Sequence, residues 1–182
     1  MIKKILLIII GCFIFIDFLH AIVFGAHIGK DFTEFSTSIG NKGVYLEINS
    51  NLIRSDHDKQ LFSLGGTFGI PFGPLSAYCA GKTYFLNFLQ QQDSFTFAFT
   101  AGIGANLYIM PCFSIYGEIY GSPHVFISDH YFYKEVNIGI KYELLQSFIM
   151  SAGYRFIKIQ NNSFDIQHTV ADDFYVGAVF NF

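Results

Sequence analysis

Apolar and polar side chains alternate along most of this chain, and the last eight residues, YVGAVFNF, show the pattern clearly. Counting back by two from Phe182 to Phe174 meets only apolar residues, whereas the intervening positions are mixed. Such a two-residue period predicts a β-strand, and no convincing helical period follows the N-terminal segment. The predicted strands are 44–53, 61–70, 75–86, 95–109, 113–121, 135–143, 148–159 and 173–182.

The connections between these strands alternate strictly between short and long. The short ones contain IPFGPL, MPC and LLQ, and the long ones, such as NFLQQQDS, are mostly polar. Membrane barrels with both chain ends on one side have short periplasmic turns and longer external loops. Most of the strands are also close to the 9–11 residues that a tilted strand needs to cross a bilayer. The sequence therefore predicts an all-β fold, an eight-stranded antiparallel transmembrane β-barrel.

A soluble, lipocalin-like barrel is the competing all-β architecture. It would place apolar side chains inside and polar ones outside, whereas a transmembrane barrel does the reverse. The chain is 52% hydrophobic, 19% aromatic and only 14% charged, against roughly 25% charged residues in soluble domains. This excess of apolar surface favours the membrane barrel. The net charge of −3 provides no basic surface for nucleic acid.

The N-terminus has the features of a secretory signal peptide. A basic MIKK precedes the apolar run 5–19, and small residues follow it. We assign residues 1–21 to the signal peptide, with cleavage after Ala26 as the latest alternative. A membrane-anchoring helix is less favoured, because Asp17 and His20 would place polar groups at membrane depth.

Residues 22–43 fit the eight-strand assignment poorly. FTEFSTSI has the alternation of a ninth strand, but single-chain bacterial barrels normally have an even number of strands. We assign residues 22–43 to an N-terminal extension or to the start of the first strand, and residues 44–182 to the barrel. The pattern does not separate the two assignments of 22–43.

Charged residues recur on the polar faces of the predicted strands, which would face the lumen. An eight-stranded barrel is only wide enough inside for side chains, and buried charges need partners. We expect Arg155 and Lys82 to share the glutamates of a lumen network. It forms either a plug that fixes the packing, which the narrow bore favours, or a selectivity path for small solutes. The predicted network is Glu47, Lys82, Glu118, Lys141 and Arg155.

One predicted external loop, within residues 122–130, contains the residue types of a hydrolytic site. His124, Ser128, Asp129 and His130 could supply a nucleophile, a base and an orienting group, as in lipid A-modifying outer-membrane hydrolases. A polar surface loop has the same composition and is the favoured interpretation. We assign no catalytic residue, and a lipid A-modifying hydrolase is the alternative function.

Two further groups are candidates for metal binding. His57 lies between Asp56 and Asp58, and His168 lies near Asp172 and Asp173. Carboxylates of this kind bind hard cations, but the spacing fits neither an EF-hand nor a closed zinc site. Solvated loop charge explains both groups, so we expect no metal and no cofactor.

The final strand also resembles the C-terminal assembly signal of bacterial outer-membrane proteins. That signal consists of a polar residue, a glycine and two apolar residues, the last of them aromatic. Tyr175, Gly177, Phe180 and Phe182 match it here. The resemblance implies that the barrel-assembly machinery is a partner of this chain.

From Asn51 to Phe182 the chain resembles the YfaZ family of outer-membrane proteins. The similarity runs through NLIRSDHD, FGIPFGPL, GKTYFLN, IYGEIYGSP, AGYRFIKI and ADDFYVGAVFNF. It implies a porin-like outer-membrane barrel with no established activity and no catalytic residues. We therefore expect a non-enzymatic, monomeric protein that contacts outer-membrane lipid and lipopolysaccharide. Its role would be structural, surface interaction or narrow permeation.

Overall fold

The backbone closes into a single antiparallel barrel in which each strand pairs with its neighbours in the chain. The structure, a computed structural model, describes residues 21–40, 45–55, 59–88, 96–122, 131–161 and 166–182. Pairing of the first strand with the last closes the ring. The strands are β1 (Ala21–Gly29), β2 (Phe32–Gly40), β3 (Tyr45–Ser55), β4 (Lys59–Phe72), β5 (Leu75–Phe88), β6 (Thr96–Met110), β7 (Phe113–Gly121), β8 (Tyr131–Leu145), β9 (Phe148–Asn161) and β10 (Ile166–Asn181).

The prediction of eight strands is wrong, because the barrel has ten. The eight predicted strands correspond in order to β3–β10, and two more precede them. FTEFSTSI belongs to β2, and AIVFGAHIG forms β1, which pairs with β10 from Val23 opposite Asn181 to Gly29 opposite Tyr175. The barrel therefore begins at Ala21 and not at residue 44. Its even strand number and closed edge are what a membrane barrel requires.

The two ends of the barrel differ in their connections. Tight turns join β4 to β5, β6 to β7 and β8 to β9 at the end that also holds the start of β1 and the end of β10. Gly73 in the first of these turns has a φ of 62°, a conformation that glycine adopts without strain. The connection of β1 to β2 at the opposite end is also short, with Lys30 and Asp31 alone between the strands, but the longest connections lie at that end. We therefore call the first end periplasmic and the opposite end external.

The outward face of the wall is apolar and the inward face is largely polar. Large hydrophobic side chains are exposed at alternate positions, such as Phe174, Val176 and Phe180 on the last strand and Phe182 directly after it. Polar residues such as Asn51, Lys82 and Asn137 are buried instead. This is the inverted pattern of a membrane barrel, not that of a soluble one. In the described part of the chain, no helix is long and apolar enough to cross a membrane.

The buried interior is built in layers along the barrel axis. Near the external end, an apolar layer includes Phe32, Tyr84, Tyr133, Ile157 and the neighbouring Ile53, Leu61 and Ile159, all at most 1% exposed. On each strand, the next inward-facing residue toward the periplasmic end is two positions away. The residues at these positions below Phe32, Tyr84, Tyr133 and Ile157 are Glu34, Lys82, Glu135 and Arg155, respectively. A charged layer therefore lies directly beneath the apolar one.

Candidate functional site

Arg155 on β9 connects two glutamates that lie on different strands. Its guanidinium donates hydrogen bonds to Glu34 on β2 and, from Nη2 at 2.5 Å, to Oε1 of Glu135 on β8. All three side chains are at most 3% exposed. Strands β2 and β9 are not neighbours in the sheet, since β1 and β10 lie between them. The planar guanidinium therefore forms a bridge across the lumen, which suits its fixed fork of donors.

Glu135 is held by more than this arginine. Its Oε2 accepts hydrogen bonds from the hydroxyls of Tyr84 at 2.5 Å and Tyr133 at 2.9 Å, and the Nζ of Lys82 lies 4.0 Å away. The two tyrosine rings stack with their centroids 4.2 Å apart. A buried carboxylate is tolerated when its charge is paired and its lone pairs are occupied. Both conditions are met here.

A second network lies closer to the periplasmic end, around Glu118. Its Oε2 accepts hydrogen bonds from Tyr78 at 3.0 Å and Tyr120 at 3.2 Å, and its Oε1 accepts one from the amide of Asn137 at 2.8 Å. The Asn137 carbonyl in turn accepts a hydrogen bond from the Tyr175 hydroxyl at 2.8 Å. Side chains from β5, β7, β8 and β10 are thereby linked through the lumen and not through the wall.

Two lysines of the interior lie over tyrosine rings. Nζ of Lys82 is 3.7 Å from the ring centroid of Tyr120, and Nζ of Lys141 is 4.5 Å from that of Tyr116. The negative face of an aromatic ring attracts a cation at these distances. The Tyr116 hydroxyl also contacts the hydroxyl of Tyr175 on β10. The lysines are thus part of the packing of the interior.

The structure places most of the predicted lumen charges inside the barrel. Lys82 and Arg155 share Glu135, whereas Glu118 and Lys141 belong to the tyrosine-rich region below. The side chain of Glu47 lies outside the described part. The principal partners of Arg155, Glu34 and Glu135, were absent from the predicted network.

The two missed glutamates differ in how visible they were in the sequence. Glu135 alternates with outward Lys134 and Val136 on a predicted strand, so its inward direction was readable. Glu34 lies in FTEFSTSI, where the same alternation is present but the predicted assignment is an N-terminal extension or the start of the first strand. Assigning that segment to a strand would have placed Glu34 in the lumen.

A cavity of about 320 Å³ lies in the lower half of the interior. Its lining includes polar side chains near the periplasmic ends of their strands, namely Ser38, Ser76, Asn106, Tyr108 and Lys141. The charged layer with Arg155 and Glu34 lines its upper side. A larger hollow of about 630 Å³ lies among apolar side chains that include Phe68, Phe72 and Ile103, which are exposed on the outer face. The polar hollow is therefore internal, and the larger one faces the membrane.

The candidate loop chemistry lies mostly beyond what the structure describes. His124, Ser128, Asp129 and His130 lie outside the described residues, as do Asp56, His57 and Asp58, and so does the side chain of His168. Among the described residues, no group of three or more His, Cys, Asp or Glu side chains is placed to hold a metal ion. Asp172 accepts a hydrogen bond from the Tyr154 hydroxyl, and Asp173 accepts one from the Lys30 backbone at 2.5 Å.

The residues that match the assembly signal divide between the two faces of β10. Tyr175 points inward and is 4% exposed, whereas Phe180 and Phe182 are exposed on the outer face. A Cβ on Gly177 would lie 2.1 Å from the ring of His27 and 2.8 Å from the carbonyl oxygen of Ala26. The glycine therefore allows β1 to pack closely against β10 at the closure of the barrel.

Comparison with known proteins gives one family match along nearly the whole chain. The family model described as YfaZ precursor matches residues 2–182. The outer membrane protein YfaZ of Escherichia coli strain K12 is 28% identical over 158 residues, which is 87% of each chain.

Two solved barrel structures show a more distant likeness. The KdgM porin gives a TM-score of 0.46 at 9% identity and covers 89% of this chain and 99% of its own. The outer-membrane protein Omp33 of Acinetobacter baumannii gives 0.42 at 11% identity, with 91% and 98% covered.

Proposed function

Because this chain belongs to the YfaZ family and is an outer-membrane β-barrel protein, we propose that it is a non-enzymatic barrel whose interior is a structural plug. The observation that carries the proposal is the bridge from Glu34 through Arg155 to Glu135 beneath the apolar layer. These contacts join β2 to β9 and β8 through the space that a wide channel would need.

Opening this interior would be costly. Separating Arg155 from Glu34 and Glu135 would leave the buried guanidinium without a carboxylate, and breaking one buried pair typically costs about 3–5 kcal/mol. Glu135 would keep Lys82 at 4.0 Å and the hydroxyls of Tyr84 and Tyr133, but it would lose the guanidinium that binds its other oxygen. A gate that opens readily needs weaker contacts than these. The residual polar cavity of about 320 Å³ leaves narrow permeation as the most that this conformation supports.

The role of such a barrel is structural or lies in surface interaction through its external end. The exposed apolar side chains of the outer face fit lipid acyl chains, and lipopolysaccharide is the outer-leaflet neighbour of the external end. Pairing of β1 with β10 leaves no free edge, so a second copy is not needed to complete the sheet. This supports a monomer. The last strand provides the segment that the barrel-assembly machinery would bind.

Conductance in planar bilayers tests the plug. Purified wild-type protein should give no sustained single-channel current beyond that of a narrow leak. Arg155→Ala should lose stability against heat in SDS, because Glu34 and Glu135 lose the guanidinium that they share, whereas Arg155→Lys keeps the charge and should lose less. A large current from the wild type would contradict the proposal. So would an Arg155→Ala variant that keeps wild-type stability and conducts strongly, because the bridge would then be a gate.

Lipid A analysis tests the absence of enzymatic activity. The mass spectrum of lipid A should be the same from cells that express the wild type, the His124→Ala,His130→Ala variant or no protein. A modified lipid A species that requires the wild-type histidines would show that the 122–130 loop is catalytic.

A further inference from the structure

Lys134 on β8 and Lys158 on β9 are directly opposite each other in the wall. Lys134 lies between the buried residues Tyr133 and Glu135, so its side chain points outward. Lys158 lies between Ile157 and Ile159, which are also buried, and points outward as well. Directly opposed residues on one face have Cβ atoms about 4.5–5.5 Å apart, and like charges there destabilise the sheet.

The residues directly opposite this pair carry no charge, and the exposed carboxylate of Asp172 on β10, opposite Phe156, accepts a hydrogen bond from Tyr154 instead. The same row of the wall continues with Gly121 on β7, opposite Lys134, and Thr169 on β10, opposite Lys158. Neither residue carries a charge, and a Cβ on Gly121 would have only one atom within 4 Å, at 3.9 Å. Among the described residues, neither lysine forms an ion pair with a carboxylate. The two ammonium groups therefore share an open patch with small neighbours.

The position along the barrel axis indicates what this patch meets. Both lysines lie three residues from the external ends of their strands, Tyr131 and Asn161. Further toward the periplasmic end, the outer face of β8 is apolar, with Ile138, Ile140 and Tyr142 exposed. The lysine pair thus lies at the external border of the apolar band, the depth of the lipid headgroups in the outer leaflet.

We propose that Lys134 and Lys158 form a binding site for a phosphate group of lipid A in the outer leaflet. A phosphate between the two ammonium groups would accept charge-assisted hydrogen bonds from both. It would turn a repulsive pair into two attractive contacts. The proposal requires the outer-membrane location but not a closed lumen, so a conducting barrel would leave it intact.

Arg54 on β3 provides a matched control. It is an exposed basic residue one position from the external end of its strand, on the same outer face. Its direct neighbours are Thr33 on β2 and Gln60 on β4, so no like charge opposes it. A general attraction of basic side chains to lipid A would involve Arg54 as much as the lysine pair. A specific site formed by Lys134 and Lys158 would not involve Arg54.

The test measures the temperature at which half of the protein loses its unboiled gel mobility. Phosphatidylcholine vesicles are compared with the same vesicles containing lipid A, phosphate-free lipid A or added inorganic phosphate. Phosphorylated lipid A should raise the midpoint of the wild type and of Arg54→Gln equally. Lys134→Gln and Lys158→Gln should lose most of that gain and bind lipid A about tenfold more weakly, as expected for one lost charge-assisted hydrogen bond.

Each of the remaining outcomes would support or overturn the proposed lipid A site. An equal gain in the lysine variants, or a gain from phosphate-free lipid A, would overturn the site. A gain from inorganic phosphate as large as that from lipid A would show a site for free phosphate and overturn the lipid assignment. Lys134→Glu guards against a simple folding defect, because it makes the opposed pair attractive. It should raise the midpoint in phosphatidylcholine alone and abolish the response to lipid A.

Discussion

Glu34 and Arg155 are 121 residues apart in the chain and form an ion pair inside the barrel. The pair joins β2 to β9, and the two strands that close the barrel, β1 and β10, lie between them in the wall. The N-terminal strands therefore contribute to the charge balance of the interior as well as to the wall. Closure of the barrel and completion of its buried network are thus coupled.

Loss of the Glu34 carboxylate should destabilise the barrel strongly. In Glu34→Ala, Arg155 keeps only Glu135, and the His27 ring loses its partner at 3.0 Å. We expect the free energy of unfolding in urea to fall by about 3 kcal/mol or more. Glu143→Ala is the control, since this half-buried glutamate forms no ion pair with a described residue. Equal losses in the two variants would show that the pair does not stabilise the fold.

The hydroxyl of Tyr84 should contribute to stability separately from its ring. Tyr84→Phe keeps the ring stack with Tyr133 but removes the 2.5 Å hydrogen bond to Glu135. A hydrogen bond to a charged group contributes about 1.5–3 kcal/mol to stability, and we expect the free energy of unfolding to fall by that amount in Tyr84→Phe. Tyr154→Phe is the matched control, because its hydroxyl binds the exposed Asp172 outside the lumen. The temperature midpoint of the heat-dependent mobility shift compares the variants. If Tyr84→Phe has the same midpoint as both Tyr154→Phe and the wild type, this hydrogen bond does not stabilise the barrel.

Glycines of the barrel wall should differ sharply in their tolerance of alanine. A Cβ on Gly153 would lie 2.4 Å from the carbonyl oxygen of Ile138 and 2.8 Å from the Tyr175 hydroxyl. The backbone has to move to accommodate this Cβ, and we expect the free energy of unfolding of Gly153→Ala to fall by about 1–3 kcal/mol. Gly81→Ala meets nothing closer than 3.9 Å and should be nearly neutral. The midpoint of heat-dependent mobility compares the two, and a neutral Gly153→Ala would show that the interior is loosely packed.

The alternation of residues predicted which way side chains point but not which of them meet. Phe174 and Phe180 were placed on the outer face from the sequence, and both are exposed there. The pairing of Arg155 with Glu34 depends on strands three apart in the ring, and its pairing with Glu135 depends on the register of the adjacent β8, neither of which local alternation encodes. The position of Lys134 opposite Lys158 also depends on strand register, because a shift of one residue between β8 and β9 would separate them.

The strand count failed for a local reason. Ile22, Val23 and Phe24 continue the apolar character of residues 5–19, so the sequence shows no separate strand at the start of the 22–43 segment. With β1 hidden, FTEFSTSI would have been a ninth strand, and the even-number rule argued against it. The rule was sound, but one strand was missing from the count. Pairing with β10 is what identifies residues 21–29 as wall.

The pairing of β1 with β10 limits where the predicted signal peptide could be cleaved without opening the barrel. A cut after Ala26 would remove Val23 to Ala26, which pair with Asn181 to Ala178, and so would remove four of the seven residue pairs between β1 and β10. A cut after Ala21 would keep every described pair from Val23 onward. We therefore expect the mature protein to begin at or before residue 22, as measured by N-terminal sequencing of the outer-membrane fraction. A mature chain that begins at residue 27 would contradict this closure.

The last residue should matter for closure through its backbone and for assembly through its ring. The Phe182 N–H donates a 2.9 Å hydrogen bond to the Ile22 carbonyl, and the Phe182 carbonyl accepts a 3.2 Å bond from the Ile22 N–H. Its ring packs edge-on against Phe24, with centroids 6.1 Å apart. Deletion of Phe182 removes all three contacts and should reduce or abolish the heat-dependent mobility shift in the outer-membrane fraction.

Phe182→Ala separates these two contributions, because it keeps the backbone bonds and removes only the ring. If the assembly machinery reads the aromatic side chain, less Phe182→Ala protein should reach the outer membrane. The fraction that does arrive should shift with heat as the wild type does, because its sheet is closed. If the backbone closure alone matters, Phe182→Ala should match the wild type in amount and only the deletion should fail. Wild-type amounts and mobility for the deletion as well would mean that neither contact at this seam is needed.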